Sequence, residues 1–290
     1  MRILRYKEDI GPLAFTLLVL VVQLTLFFAI ESLWLVALCV AVFQPVQAVA
    51  IACNHYQHHK NVFTVGALNR AYEVVLFLQT GTPPYLITLH HNLGHHLHYL
   101  GGDEDTLAWK RNDGTPLSKV RVLFQNTAGH VTWTIKIGRK YPKVYRKLKT
   151  MLPISCLPLA AMLWLDPVRS VIIFLVPMLL QVINVARLGY DQHSGLETHD
   201  HLAASRNVES RLFNLVTFNS GYHTAHHMKP GLHWSRLPKY HRHVRDRIPE
   251  HLLRERRPGR QVTPVGPGAG PGSVPTCLGF TDEMRRADLQ

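Results

Sequence analysis

Nineteen of the 290 residues are histidine, and most of them gather in three short clusters. The first, Asn54-His55-Tyr56-Gln57-His58-His59, places His55 and His59 four residues apart, on one face of a helix, so two imidazoles can reach one metal. The second runs from His90 to His98 and contains HxxxHH at His91, His95 and His96; the adjacent pair points to different sides and can serve two metals. The third, Gly221 to His227, contains HxxHH at His223, His226 and His227. His193, in Tyr190-Asp191-Gln192-His193-Ser194-Gly195, is a ninth candidate donor, with His199 and His201 as competitors.

Imidazole binds iron, copper, nickel and zinc, so nitrogen donors alone do not name the ion. Their number narrows the choice. Eight clustered histidines exceed the three or four ligands of a single zinc site, and neither HExxH nor paired cysteines occur. Soluble di-iron bundles use Glu-x-x-His, and no glutamate here has histidine three positions on. A dinuclear site held by imidazole is the economical reading. One histidine at a membrane surface is an ordinary amphipathic residue, but three clusters on one face of a bilayer are not. His58, His90 and His98 have adjacent competitors and are read as supporting or surface residues; His58, His199 and Asn184 are candidates to brace a ligand or hold a metal-bound water. His130, His233, His241, His243 and His251 are placed on a solvated basic face.

The elements that must position these residues are membrane spans. Apolar content is 47%, charged content is only 18%, and whole stretches carry no charge. Gly11 to Ile30 is uncharged and follows Arg2, Arg5 and Lys7; no small-residue cleavage site follows it, which argues against a signal peptide. Ser32 to Asn54 is a second uncharged run, broken at Pro45 but long enough to cross about 30 Å of hydrocarbon. Met151 to Leu165 is short and proline-broken, Asp166-Pro167 makes a turn, and Val168 to Ala186 completes a second hairpin. Ala71 to Leu89 holds Glu73, Gln79 and the turn Gly81-Thr82-Pro83-Pro84, and reads as an interfacial or re-entrant helix.

The expected fold is therefore an all-α membrane protein: four transmembrane helices in two hairpins, a histidine-rich helical cap on the cytosolic side, and interfacial helices. Residues 1–256 form the membrane-embedded domain and residues 257–290 a Gly/Pro-rich disordered tail. The net charge of +13 concentrates outside the hairpin turns, so the positive-inside rule places both termini, and the histidines, in the cytoplasm. The run Lys136, Arg139, Lys140, Lys143, Arg146, Lys147 and Lys149 either docks an acidic head or carrier or, as the simpler reading, flanks the third span against lipid phosphates. Basic residues that flank spans without a recognition motif disfavour a nucleic-acid partner. Cys39, Cys53, Cys156 and Cys277 make no CxxC pair, so no disulfide framework, zinc knuckle or fused iron–sulfur segment is implied.

The three clusters resemble the histidine boxes of the membrane fatty acid desaturase and hydroxylase superfamily. Gly221 to Pro238, GYHTAHHMKPGLHWSRLP, is similar to that family's third-box segment. HNLGHH, followed by Glu104-Asp105 and by Gln192-His193-Ser194-Gly195-Leu196, is similar to the alkane hydroxylase branch. The resemblance covers residues 11 to 253. It implies two iron ions held by His55, His59, His91, His95, His96, His223, His226 and His227, with His193 as the additional ligand. It further implies dioxygen as co-substrate and a fatty acyl chain, on lipid, coenzyme A or acyl carrier protein, as substrate. Electrons would come from a separate donor of ferredoxin, rubredoxin or cytochrome b5 type. A double bond is the expected product; hydroxylation, or oxidation to a terminal alkene or alkyne, stays open. A membrane metal-binding or transport protein is the alternative outside enzymes. It is disfavoured because the spans are clean apart from Gln23, Gln44, Gln47, Gln181 and Asn184.

Overall fold

In the computed structural model, residues 2–99, 105–107, 109–111, 113–196, 198 and 200–254 are described. His199 and the Gly/Pro-rich tail lie outside them. The described chain is mostly helical and divides into two units, residues 1–89 with 134–185 and residues 90–133 with 186–290.

The first unit is built from the apolar runs. Helix α1 (Ile10–Phe28) continues a short turn from Lys7, making a 22-residue apolar helix. α2 (Leu33–Gln47) starts at Ser32, whose side chain caps the Leu35 N–H, and contains Pro45. Proline lacks an N–H and crowds the preceding turn. The helix accordingly stops two residues later and resumes as α3 (Ala50–His59) after a 44° bend. α4 (Gly66–Thr80) follows and ends at Gly81 in the left-handed region, φ 70°. A Cβ there would lie 2.8 Å from the Met178 carbonyl oxygen, so glycine serves both the turn and the close approach.

The second hairpin differs from expectation in its first arm. α6 (Pro142–Leu165) is one 24-residue helix that carries Pro153 and Pro158 without breaking and begins nine residues before the apolar run. Its basic first turns, with Lys143, Arg146, Lys147 and Lys149, are helix, because a cationic stretch outside hydrocarbon loses nothing by continuing the spiral. After Asp166, α7 (Pro167–Ser170) passes through a π-helical turn into α8 (Val176–His193), a continuous apolar stretch of 27 residues. Among the described residues three helices are long and apolar enough to cross a membrane, or four if the bent α2–α3 pair is one span.

Packing in this unit combines an apolar cluster with buried polar contacts. Phe27, Val36, Phe77, Leu159, Ile173 and Phe174 form the buried cluster. At the hairpin turns Arg169 pairs with Asp166 at 3.1 Å and reaches the carbonyls of Phe27, Ile30 and Glu31, capping the end of α1. Elsewhere buried amides join the helices: Gln47 Nε2 donates to the Gln79 carbonyl (2.8 Å), Gln79 Nε2 to the Thr16 carbonyl (2.7 Å) and Asn54 Nδ2 to Thr80 Oγ1 (2.9 Å). Such bonds satisfy polar groups that hydrocarbon would leave unsolvated.

The second unit is made of short elements. They are the N-terminal part of α5 (Lys119–Lys140), the end of α8, α9 (Arg211–Val216), α10 (His223–Met228) and α11 (Leu237–Val244). Strands β1 (Asn207–Val208) and β2 (Leu253–Arg254) pair in parallel, with Asn207 opposite Leu253. Two members of the expected solvated face are interior here. His241 donates from Nε2 to Glu209 at 3.0 Å, and His233 contacts Ser235 Oγ at 2.8 Å; only 2% and 3% of their surfaces are exposed. Arg245 completes a bidentate clamp on Glu209 at 2.9 and 3.0 Å, and that pairing makes burial of His241 tolerable.

Candidate metal centre

The second histidine cluster lies on a π-helical segment, Thr88–His96. In an α-helix residues five apart diverge, whereas the i→i+5 spacing of a π-helix stacks them. His91 Nε2 consequently meets His96 Nε2 at 3.0 Å, and His96 Nε2 meets His226 Nε2 of α10 at 3.1 Å. His95, next along the spiral, turns to the other side. Its ring lies 4.8 Å from that of His193 and 5.0 Å from that of His227.

The third cluster is split in the same way. His223 and His227, four apart on α10, face each other with Nε2 atoms 3.1 Å apart, and His223 Nε2 is 3.0 Å from His193 Nε2 at the end of α8. His95, His193 and His227 are all buried, and each offers a ligand nitrogen within 4.8 Å of the others. His226 points instead toward His91 and His96. The second unit thus holds two neighbouring sets of imidazoles, His91/His96/His226 and His95/His193/His223/His227.

These residues fit a metal by a structural test. His95 Nδ1 is 2.8 Å from Asp105 Oδ1, and His193 Nδ1 is 3.1 Å from the Ala204 carbonyl oxygen. Carboxylate and carbonyl oxygens only accept, so both Nδ1 atoms carry a proton, and in the neutral ring Nε2 is then the atom with the lone pair for a metal. Among the described residues, His95 Nε2 is buried with no hydrogen-bond partner. Two nitrogens bound at about 2.1 Å and at right angles to one ion stand about 3.0 Å apart, which is the spacing seen between His193 and His223. Burial, then the neighbouring His223, hold His227 well below the usual histidine range, in the neutral form that binds metal.

Several residues without a sequence signal build this arrangement. α10 has no side-chain cap of its own. Asn207 supplies one, accepting from the Thr224 N–H at 3.0 Å and donating to Thr224 Oγ1 at 2.8 Å. Asn214 accepts from the Gly221 N–H at 3.1 Å and donates to the Val208 carbonyl at 2.7 Å. A Cβ on Gly221 would stand 2.2 Å from that carbonyl oxygen, so only glycine opens the third cluster. The Tyr99 ring packs 4.3 Å from His227 and 5.3 Å from His193, walling the second set.

The remaining candidates are placed as follows. His55 and His59 lie together on α3 of the first unit, ring centroids 4.7 Å apart, with His58 partly buried beside them. Asn184 Nδ2 is 3.5 Å from Gln181 Oε1, one turn back on its own helix. His90, only 3% exposed, stacks on His130 with centroids 4.3 Å apart. His201 has its ring 5.9 Å from that of Tyr99. Lys147 lies 5.9 Å and Arg70 4.7 Å from the ring of Tyr85, so part of the basic flank is engaged on an aromatic face.

Compared with known families, the chain matches the family model for fatty acid desaturases over residues 31–259, which include every candidate ligand. No curated protein sequence matches it.

Proposed function

The chain belongs to the fatty acid desaturase family, and from that premise we propose that it is a membrane-embedded, di-iron, dioxygen-dependent oxidoreductase that inserts a double bond into a fatty acyl chain. The observation that carries the reading is the pair of buried imidazoles His95 and His193, each fixed at Nδ1 by an acceptor and gathered with a further buried imidazole. Oriented, water-excluded imidazoles are what a redox metal needs and what a chance cluster of surface histidines lacks. His91, His96 and His226 would serve one ion and His95, His193, His223 and His227 the other; by the family's pattern His55 and His59 add two further imidazoles. Iron bound there would supply the activation of dioxygen that cleavage of an unactivated C–H bond requires, with electrons from a separate ferredoxin, rubredoxin or cytochrome b5-like donor.

The chain's own residues set the conditions for that chemistry. The apolar helices of the first unit offer a medium for an acyl tail. The cations that open α6, with Arg2, Arg5 and Lys7 before α1, support a cytoplasmic orientation by the positive-inside rule and can hold an anionic head, including that of an acyl carrier protein. Whether a second hydrogen or an oxygen is transferred depends on where the next methylene sits, a matter of positioning rather than residue type.

The test is metal analysis of the detergent-purified chain together with mass spectrometry of lipids from cells with and without expression. About two irons per chain and a new acyl product lighter by two hydrogens are expected. A product heavier by one oxygen would replace desaturation with hydroxylation. Zinc or no metal, with unchanged lipids, would overturn the enzyme reading.

A further inference from the structure

The hydrogen bonds behind the two best-defined donors are chemically unequal. His193 Nδ1 leans on a neutral carbonyl, that of Ala204, at 3.1 Å, whereas His95 Nδ1 leans on a carboxylate, Asp105 Oδ1, at 2.8 Å. Asp105 is itself held. Its Oδ1 also accepts the Leu107 N–H at 2.9 Å, the intervening Thr106 donates to the His90 carbonyl at 2.6 Å, and Leu107 packs where a Cβ on Gly189 would meet it at 3.1 Å. The loop 105–107 is therefore tied both to the π-helical segment and to the end of α8, the two elements that carry His95 and His193. The His95 side chain is fully buried and the Asp105 side chain 18% exposed, so little solvent screens the pair.

We propose that Asp105 is a positioning residue for the metal held by His95, His193, His223 and His227. Its charge locks the His95 tautomer and raises the basicity of His95, so this ion is retained more tightly and is richer in electron density than it would be without Asp105. The inference rests on the metal-centre reading above and deepens it. A carboxylate behind a ligating imidazole raises ligand basicity, and its loss typically lowers metal affinity about 10- to 100-fold.

The test uses the full chain in detergent, stripped of metal and titrated with cobalt(II) alone, followed by 57Fe Mössbauer spectroscopy of iron-loaded samples. Asp105→Asn keeps an acceptor for both N–H groups and removes only the charge. It should weaken one class of cobalt site about 10-fold, leave the other unchanged and alter one iron signal. Asp105→Ala should approach 100-fold, and Asp105→Glu should recover most of the loss. Cobalt binding and Mössbauer signals in Asp105→Asn indistinguishable from the parent would overturn the proposal while the metal site stands. Absence of cobalt binding in the parent itself would overturn the metal-site reading, and this proposal with it. Because parent and Asp105→Glu are measured beside the Asn and Ala variants, a folding defect shows as failure of the Glu rescue together with altered gel filtration, which would assign Asp105 a purely structural role and reject the proposal.

Discussion

His193 Nε2 stands 3.0 Å from His223 Nε2, although thirty residues separate them, because Ala204 turns the first ring and α10 presents the second. The contact joins the last apolar helix to the third histidine cluster. His193→Ala is therefore expected to lower bound metal by about one ion per chain and to cut turnover at least about 100-fold, with the helical circular dichroism unchanged. Elemental analysis of purified protein checks it, and full metal content in the variant would remove His193 from the ligand set.

Gly221→Ala should be among the most damaging single-methyl changes in the chain. The added carbon would meet the Val208 carbonyl at 2.2 Å and Asn214 Oδ1 at 2.7 Å, forcing apart the bonds that open α10. A cost of about 2–4 kcal/mol is expected, several degrees of apparent Tm. Gly66→Ala, where a Cβ meets nothing within 4 Å, is the control and should be neutral or slightly stabilising.

Acid sensitivity is expected from the Glu209, His241 and Arg245 clamp. Burial pushes His241 below its ordinary value of 6.5, outweighing the hydrogen bond to Glu209 that would raise it. Burial alone would raise Glu209, but the bonds from Arg245 and His241 hold it below its ordinary 4.5. Both folded values are depressed, so both contributions are complete above the unfolded values. That of His241 is lost as pH falls below 6.5 and that of Glu209 as pH falls below 4.5. Apparent Tm measured against pH should show a smaller fall between pH 7 and 5 in His241→Gln than in the parent. Parallel curves would refute this assignment.

Arg169→Ala should destabilise the first unit without touching the metal centre. The guanidinium spans the Phe27, Ile30 and Glu31 carbonyls and Asp166 at once, a fork geometry that lysine cannot reproduce. Lower apparent Tm with unchanged metal content is expected for Ala, and only partial recovery for Arg169→Lys.

Much of the architecture was legible in residue order. Uncharged runs marked the helices because hydropathy is local, and Pro45 and Gly81 marked a bend and a turn because each acts on its own backbone. The reading failed where helix persistence depends on surroundings. α6 runs through Pro153 and Pro158 and begins at Pro142, and whether a proline breaks a helix, as Pro45 does, or is carried within it depends on surroundings that no window of sequence contains.

The histidines tell the same story at the level of chemistry. Their type, number and clustering already pointed to a multi-imidazole metal centre, because three short boxes bring many nitrogen donors together. Adjacency already placed His95 and His96 on different sides, but sequence order could not reveal that a π-helical turn would pair His91 with His96, or that α10 would divide His226 from His223 and His227. Nor could it show that Asp105, Asn207 and Asn214 support the donors, or that His233 and His241 are buried. Residue identity fixes which atoms can bind a metal. Which imidazoles converge depends on helix phase and on contacts between residues 7 to 130 positions apart, and only the folded chain sets those.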